Sequence, residues 1–238
     1  TLKPIIMAVI VIGGVVAILQ SDFGSAVVMM GMIAVMVFIA GVPMRKIMMI
    51  AGVVAAGSVL LIATSAYRRE RLLTFAHPTQ NCQTTGYQSC QALIAIGSGG
   101  IFGLGLGRSV QAYGYLPEAA NDSIFAILAE KFGFFGMTLI LTAYAVFFGR
   151  LAKIAERAPD DFSRFLMVGV LAWFSVQAII NIGAMIGLLP LKGITLPFVS
   201  YGGTSLLFVT GALGLAFQIS RHSSYSGQSE APNWRRSL

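Results

Sequence analysis

The sequence predicts an all-α protein, a polytopic membrane helix bundle of about six transmembrane helices with a long outer loop. The composition is 56% hydrophobic and only 11% charged, with a mean hydropathy of +0.81, whereas soluble domains are about 25% charged. Six apolar segments approach the roughly 20 residues that a bilayer core requires. They are residues 4–19, 24–40, 47–66, 123–149, 165–189 and 204–219.

The chain starts at Thr1 and is apolar from Pro4, without a basic n-region or a small-residue cleavage site. We therefore predict no signal peptide and expect this start to be the middle of a larger protein.

The positions of Lys and Arg predict the orientation, because cytoplasmic loops are enriched in these residues. The richer set, which we assign to the cytoplasm, is Lys3, Arg45, Lys46, Arg150, Lys153, Arg157, Arg164, Arg221, Arg235 and Arg236. Residues 1–220 then form an integral membrane domain with an extracytoplasmic loop at 67–122, and the polar residues 221–238 form a disordered cytoplasmic tail. The net charge of +7 reflects this topology and contact with anionic headgroups, so we expect no nucleic acid partner.

The outer loop contains an apolar, glycine-rich stretch at 91–107. It is too interrupted to span a membrane, so we predict a re-entrant or interfacial segment that covers a cavity. The same loop holds the only cysteines, Cys82 and Cys90. A disulfide is feasible in an oxidising compartment, but the sequence alone leaves the pairing open.

Two carboxylates, Glu118 and Asp122, lie at the edge of the fourth apolar segment. If a helix begins at Pro117, the two share a face; if it begins at Asn121 or Asp122, Asp122 lies at its N-terminus. The plain alternative is that Asp122 is a cap and Glu118 a solvated loop residue. The other outer acids are Asp22, Glu70 and Glu130, and this gathering of acids favours a site.

The chain has no Walker A loop, no His-Glu-x-x-His and no Gly-x-Ser-x-Gly, and its two histidines, His77 and His222, are far apart, so no metal-ligand set is predicted. What remains is a site of carboxylates and cations at a membrane surface, which suits a lipid-linked anionic substrate. Arg68, Arg69 and Arg71 would bind phosphate there, or would merely anchor a helix end to headgroups.

Five stretches form longer motifs. They are Gln-Ser-Asp-Phe-Gly at 20–24, residues 67–75 with Gly-Tyr-Gln at 86–88, the glycine-rich 94–105, residues 115–130, and Gly-Leu-Leu-Pro-Leu-Lys-Gly-Ile-Thr-Leu-Pro-Phe-Val-Ser-Tyr-Gly-Gly-Thr-Ser at 187–205 with Asn181 before it. Together they resemble the SEDS family (shape, elongation, division and sporulation), to which FtsW and RodA belong. Residues 86–88, 108–111 and 113–118 are more similar to the division branch, FtsW, whereas 94–100 also occurs in the RodA branch.

The resemblance implies a peptidoglycan glycosyltransferase that polymerises lipid II at the outer face of the bacterial cytoplasmic (inner) membrane in cell division. Its implied partners are a class B penicillin-binding protein and other divisome proteins. It implies Asp122 as the catalytic base, with Glu118 positioning it or helping to hold a divalent cation, Mg²⁺ or Mn²⁺. Candidate binders of lipid II, an undecaprenyl-pyrophosphate-linked glycan, are Arg68, Arg69, Arg71, Lys192, Ser200, Gly202 and Gly203.

The chain departs from the family pattern at a few positions and in length. Ser21 replaces the usual Pro, Asn121 and Ser123 replace Thr and Phe, and Leu191 replaces Thr. Members of the family have more spanning helices, so the chain resembles their C-terminal part. Two other functions stay open: a lipid II flippase, which would need polar groups through the bilayer depth, and a non-catalytic, truncated division scaffold.

Overall fold

The computed structural model describes residues 23–63, 75, 82–84, 86–191 and 193–229. Within these ranges the chain forms helices and contains no β-strand, which confirms the all-α prediction. The helices are α1 (Phe23–Ile39), α2 (Met44–Ala63), α3 (Tyr87–Gly99), a 3₁₀ helix (Gln111–Tyr113), α4 (Ile124–Glu156), α5 (Asp161–Met185) and α6 (Gly203–Ser229).

Three of the described helices are long and apolar enough to cross a membrane. They are α4, α5 and the part of α6 up to His222. Residues 24–39 of α1 form a shorter apolar helix. These helices support a multi-pass membrane bundle, whereas the predicted segment at 4–19 lies outside the described residues. The number of six spans therefore stays a prediction.

Helices α1 and α5 pack closely because small residues face larger ones across their contact. A Cβ placed on Gly31 of α1 would lie 2.9 Å from Val176 Cγ1 of α5. Further along, a Cβ placed on Gly169 would lie 3.3 Å from Met36 Sδ. Small residues at such positions let helices approach in a membrane, where packing contacts drive association.

Helix α4 breaks at Gly133, whose φ of 63° and ψ of −163° are not helical. The loop after α3 crosses this break and bonds the main-chain groups that it releases. Leu104 N–H donates to Glu130 O at 2.9 Å, and Phe134 N–H donates to Gly100 O at 2.9 Å. The predicted re-entrant or interfacial segment is thus α3 with its glycine-rich loop, packed on α4 without spanning. This arrangement agrees with the rule that irregular backbone at membrane depth must find internal partners.

The connection between α5 and α6 also folds back onto the bundle. Leu196 and Pro197 are buried, and Tyr144 of α4 donates its hydroxyl to Pro197 O. The ring of Phe198 packs edge-on against Phe147 and Phe174, with centroids 5.1 and 5.3 Å apart. These contacts fix residues 197–198 against α4 and α5, and hydrogen bonds from Ser200 to Asn121 O and from Tyr201 N–H to Ala120 O hold the following residues at the turn before α4. We call this end of the bundle, formed by residues 114–123 and 186–202, the site end.

Two helices extend beyond the apolar segments that the sequence predicts. The fourth apolar segment, predicted at 123–149, continues as helix to Glu156, because the basic residues after Phe148 end the apolar run but are good helix formers. The tail predicted to be disordered from residue 221 continues α6 to Ser229. No proline interrupts that polar stretch before Pro232, so nothing in it forces the helix to stop. Residues 230–238 lie outside the described part.

Candidate active site

Asp122 lies in a turn that directly precedes α4. Of the helix starts considered from the sequence, neither Pro117 nor Asn121–Asp122 is observed: residues 114–123 form turns, and α4 begins at Ile124, two residues after Asp122. The reason is the backbone of Glu118, which has a left-handed φ of 52° and cannot continue a helix. Its carbonyl accepts from Asn121 N–H at 2.9 Å and from Ser123 N–H at 3.2 Å, which closes the turn. Glu118 and Asp122 therefore do not share a helix face.

The Asp122 side chain is buried, with only 7% of its surface exposed. Its carboxylate has two neutral donors. Ser123 Oγ donates to Asp122 Oδ1 at 3.3 Å, and Gln88 Nε2 of α3 lies 3.5 and 3.4 Å from Oδ1 and Oδ2. Gln88 Nε2 also donates to Ser123 Oγ at 3.1 Å. The first turn of α3 thus contacts the Asp122 carboxylate.

This environment raises the pKa of Asp122 above its ordinary value. Burial is the largest cause, because it penalises the charged form; hydrogen bonds from Gln88 and Ser123 oppose the rise, and the nearby carboxylate of Glu118 adds to it. A carboxyl whose pKa lies closer to neutral is a better proton acceptor than an exposed aspartate, so the site can support general base catalysis.

Asn181 and Ser200 connect the Asp122 turn to the α5–α6 connection. Asn181 of α5 donates from Nδ2 to Asp122 O at 2.7 Å and to Ile194 O at 2.6 Å. Ser200 Oγ donates to Asn121 O at 2.6 Å and accepts from Leu196 N–H at 2.6 Å. Tyr201 N–H donates to Ala120 O at 2.9 Å. Asp122 is therefore held at the junction of three elements: α3, α5 and the α5–α6 connection.

Gly193 lies directly beside the Asp122 carboxylate. A Cβ placed on Gly193 would be 3.6 Å from Asp122 Oδ2, and Gly193 has a φ of +63°. Asp122, Asn181, Gly193 and Ile194 also line a small void that is too narrow to admit a water molecule.

Glu118, the second predicted catalytic residue, is exposed at the surface of the turn. Its carboxylate accepts from Asn121 Nδ2, so it orders the turn that precedes Asp122. Glu130, by contrast, is 1% exposed and is bonded by Ser109 Oγ and by Val110 N–H at 2.9 Å. Glu130 therefore fixes the loop before the 3₁₀ helix and does not reach Asp122.

The predicted phosphate-binding cations lie outside the described residues: Arg68, Arg69, Arg71 and Lys192. Lys192 directly precedes Gly193 in the sequence. Gly202 and Gly203 lie at the start of α6, whose first helical bond runs from Leu206 N–H to Gly202 O. The Ser200 hydroxyl already donates to Asn121 O and accepts from Leu196 N–H. In the part of the chain that the structure describes, no three His, Cys, Asp or Glu side chains are grouped to hold a metal.

Sequence reasoning gave no role to Gln88 or Asn181, although both belong to motifs quoted above. For Asn181 a signal was present: an amide in the apolar segment 165–189 is costly in a membrane and marks a site by default. For Gln88 no comparable signal existed, because Gln is ordinary in a polar loop.

Comparison with known proteins identifies the family. Residues 1–225 match the family model for FtsW, RodA and SpoVE, described as cell cycle protein. The probable peptidoglycan glycosyltransferase FtsW of Thioalkalivibrio sulfidiphilus is 44% identical over 213 residues, which cover 88% of this chain. The chain belongs to the SEDS family. Stage V sporulation protein E of Bacillus subtilis is another similar member, at 42% identity over 206 residues and 87% of the chain.

Solved SEDS structures share the fold. A structure described as structural coordination of polymerization and crosslinking by a peptidoglycan synthase complex aligns with a TM-score of 0.75 at 26% identity, covering 91% of this chain and 60% of the other. The rod shape determining protein RodA of Thermus thermophilus aligns with a TM-score of 0.59 at 26% identity, covering 90% and 54%. The chain also spans 53% and 56% of the two relatives named above, so it corresponds to somewhat more than half of a SEDS protein.

Proposed function

We propose that this protein is a peptidoglycan glycosyltransferase that polymerises lipid II into glycan strands. The observation that carries the proposal is the Asp122 carboxylate, which is buried at the meeting point of α3, α5 and the α5–α6 connection and whose donors among the described residues, Gln88 and Ser123, are neutral. The proposal is supported by the similarity to relatives that are named probable peptidoglycan glycosyltransferases.

In the proposed reaction, the 4-hydroxyl of a lipid II GlcNAc attacks the MurNAc anomeric carbon of a lipid-linked glycan. Asp122 takes the hydroxyl proton as the new glycosidic bond forms, and undecaprenyl pyrophosphate leaves with inversion of configuration. A neutral sugar hydroxyl is a weak nucleophile, so a base contributes about 100- to 10,000-fold. The main-chain clamps from Asn181 and Ser200 contribute by fixing the position of that base.

The pyrophosphate that leaves in this reaction is an anion, so the site needs cations that stabilise it. Lys192 precedes Gly193, which lies beside Asp122, and is the first candidate; Arg68, Arg69 and Arg71 are further candidates. The N-terminus of α6 at Gly202 and Gly203 adds main-chain N–H groups that favour anions. A divalent cation, Mg²⁺ or Mn²⁺, would be held mainly by the pyrophosphate with one or two carboxylates. Glu118 is exposed beside the site and fits that supporting role.

We further propose that the site end faces the outside of the bacterial inner membrane, where lipid II is presented, and that the protein acts in division with a class B penicillin-binding protein and other divisome proteins. The excess of Lys and Arg at the opposite helix ends supports this orientation. Relatives at 41–44% identity that are named FtsW support the division branch.

The flippase alternative gains no support from the described helices. In the described parts of α4, α5 and α6, the buried acid and amide side chains are Glu130 near the start of α4 and Gln177 and Asn181 near the end of α5, all in the half next to the site end. A lipid headgroup crossing the membrane would need polar groups along the whole depth. The arrangement suits chemistry at one surface.

The test is polymerisation of purified lipid II by the purified protein in lipid nanodiscs, with a class B penicillin-binding protein added or withheld. Glycan strands, separated by length on gels, are the expected product. Absence of strands in both arms, from protein that elutes as a single folded species, would reject the activity. Transfer of lipid II across vesicles without strand formation would instead favour the flippase.

A further inference from the structure

A cavity of about 490 Å³ lies between α1 and α5, next to the α5–α6 connection. Its α1 wall consists of Ser25, Val28, Met29 and Met32, which lie at i, i+3, i+4 and i+7 and therefore share one helix face. The volume lies within the usual range for small-molecule sites, about 300–1,000 Å³. Nothing in the mechanism above uses this space.

The cavity changes from polar to apolar with distance from the site end. Ser25 lies in the first turn of α1, and Gln177 of α5 donates to Thr195 O at 2.8 Å and to Thr195 Oγ at 3.1 Å. Met32 lies about 10 Å further along α1, at 1.5 Å per residue, and Trp173 lies one turn further from the site end than Gln177. A ligand that fits this cavity therefore has a polar group at the site end and an apolar chain pointing away from it.

The polar end of the cavity adjoins the candidate active site. Gly193 and Ile194 line the cavity and also line the small void around Asp122 and Asn181. One strip of backbone thus separates the Asp122 carboxylate from the polar end of the cavity.

We infer that this cavity binds the first isoprene units of the polyprenyl chain of the glycan donor. The inference rests on the proposed function. In that reaction the anomeric carbon that reacts near Asp122 is joined through the pyrophosphate to the first isoprene unit, so that unit must lie a short distance from the carboxylate. The acceptor is a worse candidate, because its reacting hydroxyl is separated from its own pyrophosphate by a disaccharide.

The side chains of the cavity suit a branched, unsaturated hydrocarbon. Met29 and Met32 have flexible, polarizable thioethers that adapt to irregular shapes. Trp173 adds a large apolar surface. The pyrophosphate would then lie at the polar end beside Gly193, where Lys192 is its neighbour in the chain.

The test uses undecaprenyl pyrophosphate with a photoreactive diazirine on its first isoprene unit, added to the purified protein in phosphatidylcholine nanodiscs. After irradiation, labelled residues are mapped by mass spectrometry. We expect labels on the cavity faces of α1 and α5, removed by excess unlabelled undecaprenyl pyrophosphate and not by equal phosphatidylglycerol. Met32→Trp should overfill the cavity and lower labelling about tenfold. The matched control, Met49→Trp, changes a side chain of α2 that is 69% exposed and should leave labelling unchanged.

Labels spread over the exposed helix faces, equal labelling of Met32→Trp, or equal competition by phosphatidylglycerol would each overturn the inference, the last by making the cavity an ordinary lipid site. If Met32→Trp does not elute as a single species, Met29→Trp provides the same test. The assay needs no turnover, so it separates the two proposals. Cavity labelling without polymerisation keeps the inference and rejects the activity, and polymerisation with labels elsewhere rejects the inference alone.

Discussion

Asn181 holds the main chain of Asp122: its Nδ2 donates to the Asp122 carbonyl at 2.7 Å and to the Ile194 carbonyl at 2.6 Å. Asn181 is 2% exposed, and its Oδ1 is buried without a partner among the described residues. One amide thus connects two loops that are far apart in the sequence, and it does so at the residue proposed as the base. A polar side chain kept at this cost in a membrane helix points to a positioning role.

Replacing Asn181 should therefore reduce kcat more than it changes KM. Asn181→Leu keeps the approximate volume but leaves two buried carbonyls unsatisfied, each at a cost of about 1–3 kcal/mol. A displacement of Asp122 by about 1 Å is expected to lower the rate about 100-fold. The measurement is polymerisation at several lipid II concentrations. Ser175→Ala on the same helix is the control, because its hydroxyl bonds only carbonyls of its own helix. A lower melting temperature with an unchanged kcat would make Asn181 merely structural.

Gln88 should tune the pH dependence of the reaction. Asp122 must be charged to act as a base, so activity is present above its raised pKa and is lost as the pH falls through it. Gln88 lowers that pKa through its hydrogen bond. Gln88→Leu should therefore raise the pKa further and move the acid limb of the rate profile to higher pH, with activity recovering at alkaline pH. Ser98→Ala is the control on α3, because Ser98 bonds only Ala95 O. An acid limb that stays in place would exclude Gln88 from the site.

The sequence predicts the helices well because a membrane span needs a long apolar run, which is visible directly. The motifs also predict the family, which the family match confirms, whereas the role of Asp122 stays a prediction. The sequence does not predict the turn at Glu118, because a left-handed glutamate is stabilised only by the surrounding structure. It also misses the partners of Asp122, because the contacts to Gln88 and Asn181 join residues 34 and 59 positions apart. The α1–α5 cavity depends on the same long-range packing.

Gly133 should be needed for the packing of the glycine-rich loop on α4. Its φ and ψ lie in a region open almost only to glycine, and a Cβ there would be 2.3 Å from Gly103 N. Gly133→Ala should cost at least about 1–3 kcal/mol from backbone strain and should displace α3, and with it Gln88. Gly149→Ala is the control, since that glycine of α4 has open space around it and alanine there favours the helix by up to about 1 kcal/mol. Thermal unfolding followed by size-exclusion chromatography should give opposite shifts; equal shifts would contradict the role of the break.

The disulfide that the sequence left open is present between Cys82 and Cys90, with Cα atoms 5.5 Å apart. The disulfide closes a short loop at the start of α3, and its Cys90 lies two residues after Gln88. Removing it as Cys82→Ser with Cys90→Ser should lower stability by about 2–3 kcal/mol and loosen Gln88. Reductant should reproduce the loss in the wild type and have no further effect on the double variant. A wild type that is insensitive to reductant, with its thiols shown to be free, would contradict this prediction.

Asp122→Asn separates catalysis from stability most sharply. Because burial raises the pKa of Asp122, folding disfavours its charged form, and the carboxylate costs stability at any pH above its pKa in the folded state. The neutral amide avoids that cost and can still accept from Gln88 and Ser123. Asp122→Asn should therefore keep or raise the melting temperature at pH 7–8, while polymerisation falls about 100- to 10,000-fold.

The control is Asp160→Asn, where the exposed aspartate caps α5 by accepting from Ser163 N–H at 2.8 Å. Asn caps nearly as well as Asp, so that variant should polymerise normally. Matched amounts of the three proteins are compared by strand formation and by thermal unfolding. If Asp122→Asn makes near-normal amounts of glycan, Asp122 is not the base, and the proposed mechanism is wrong.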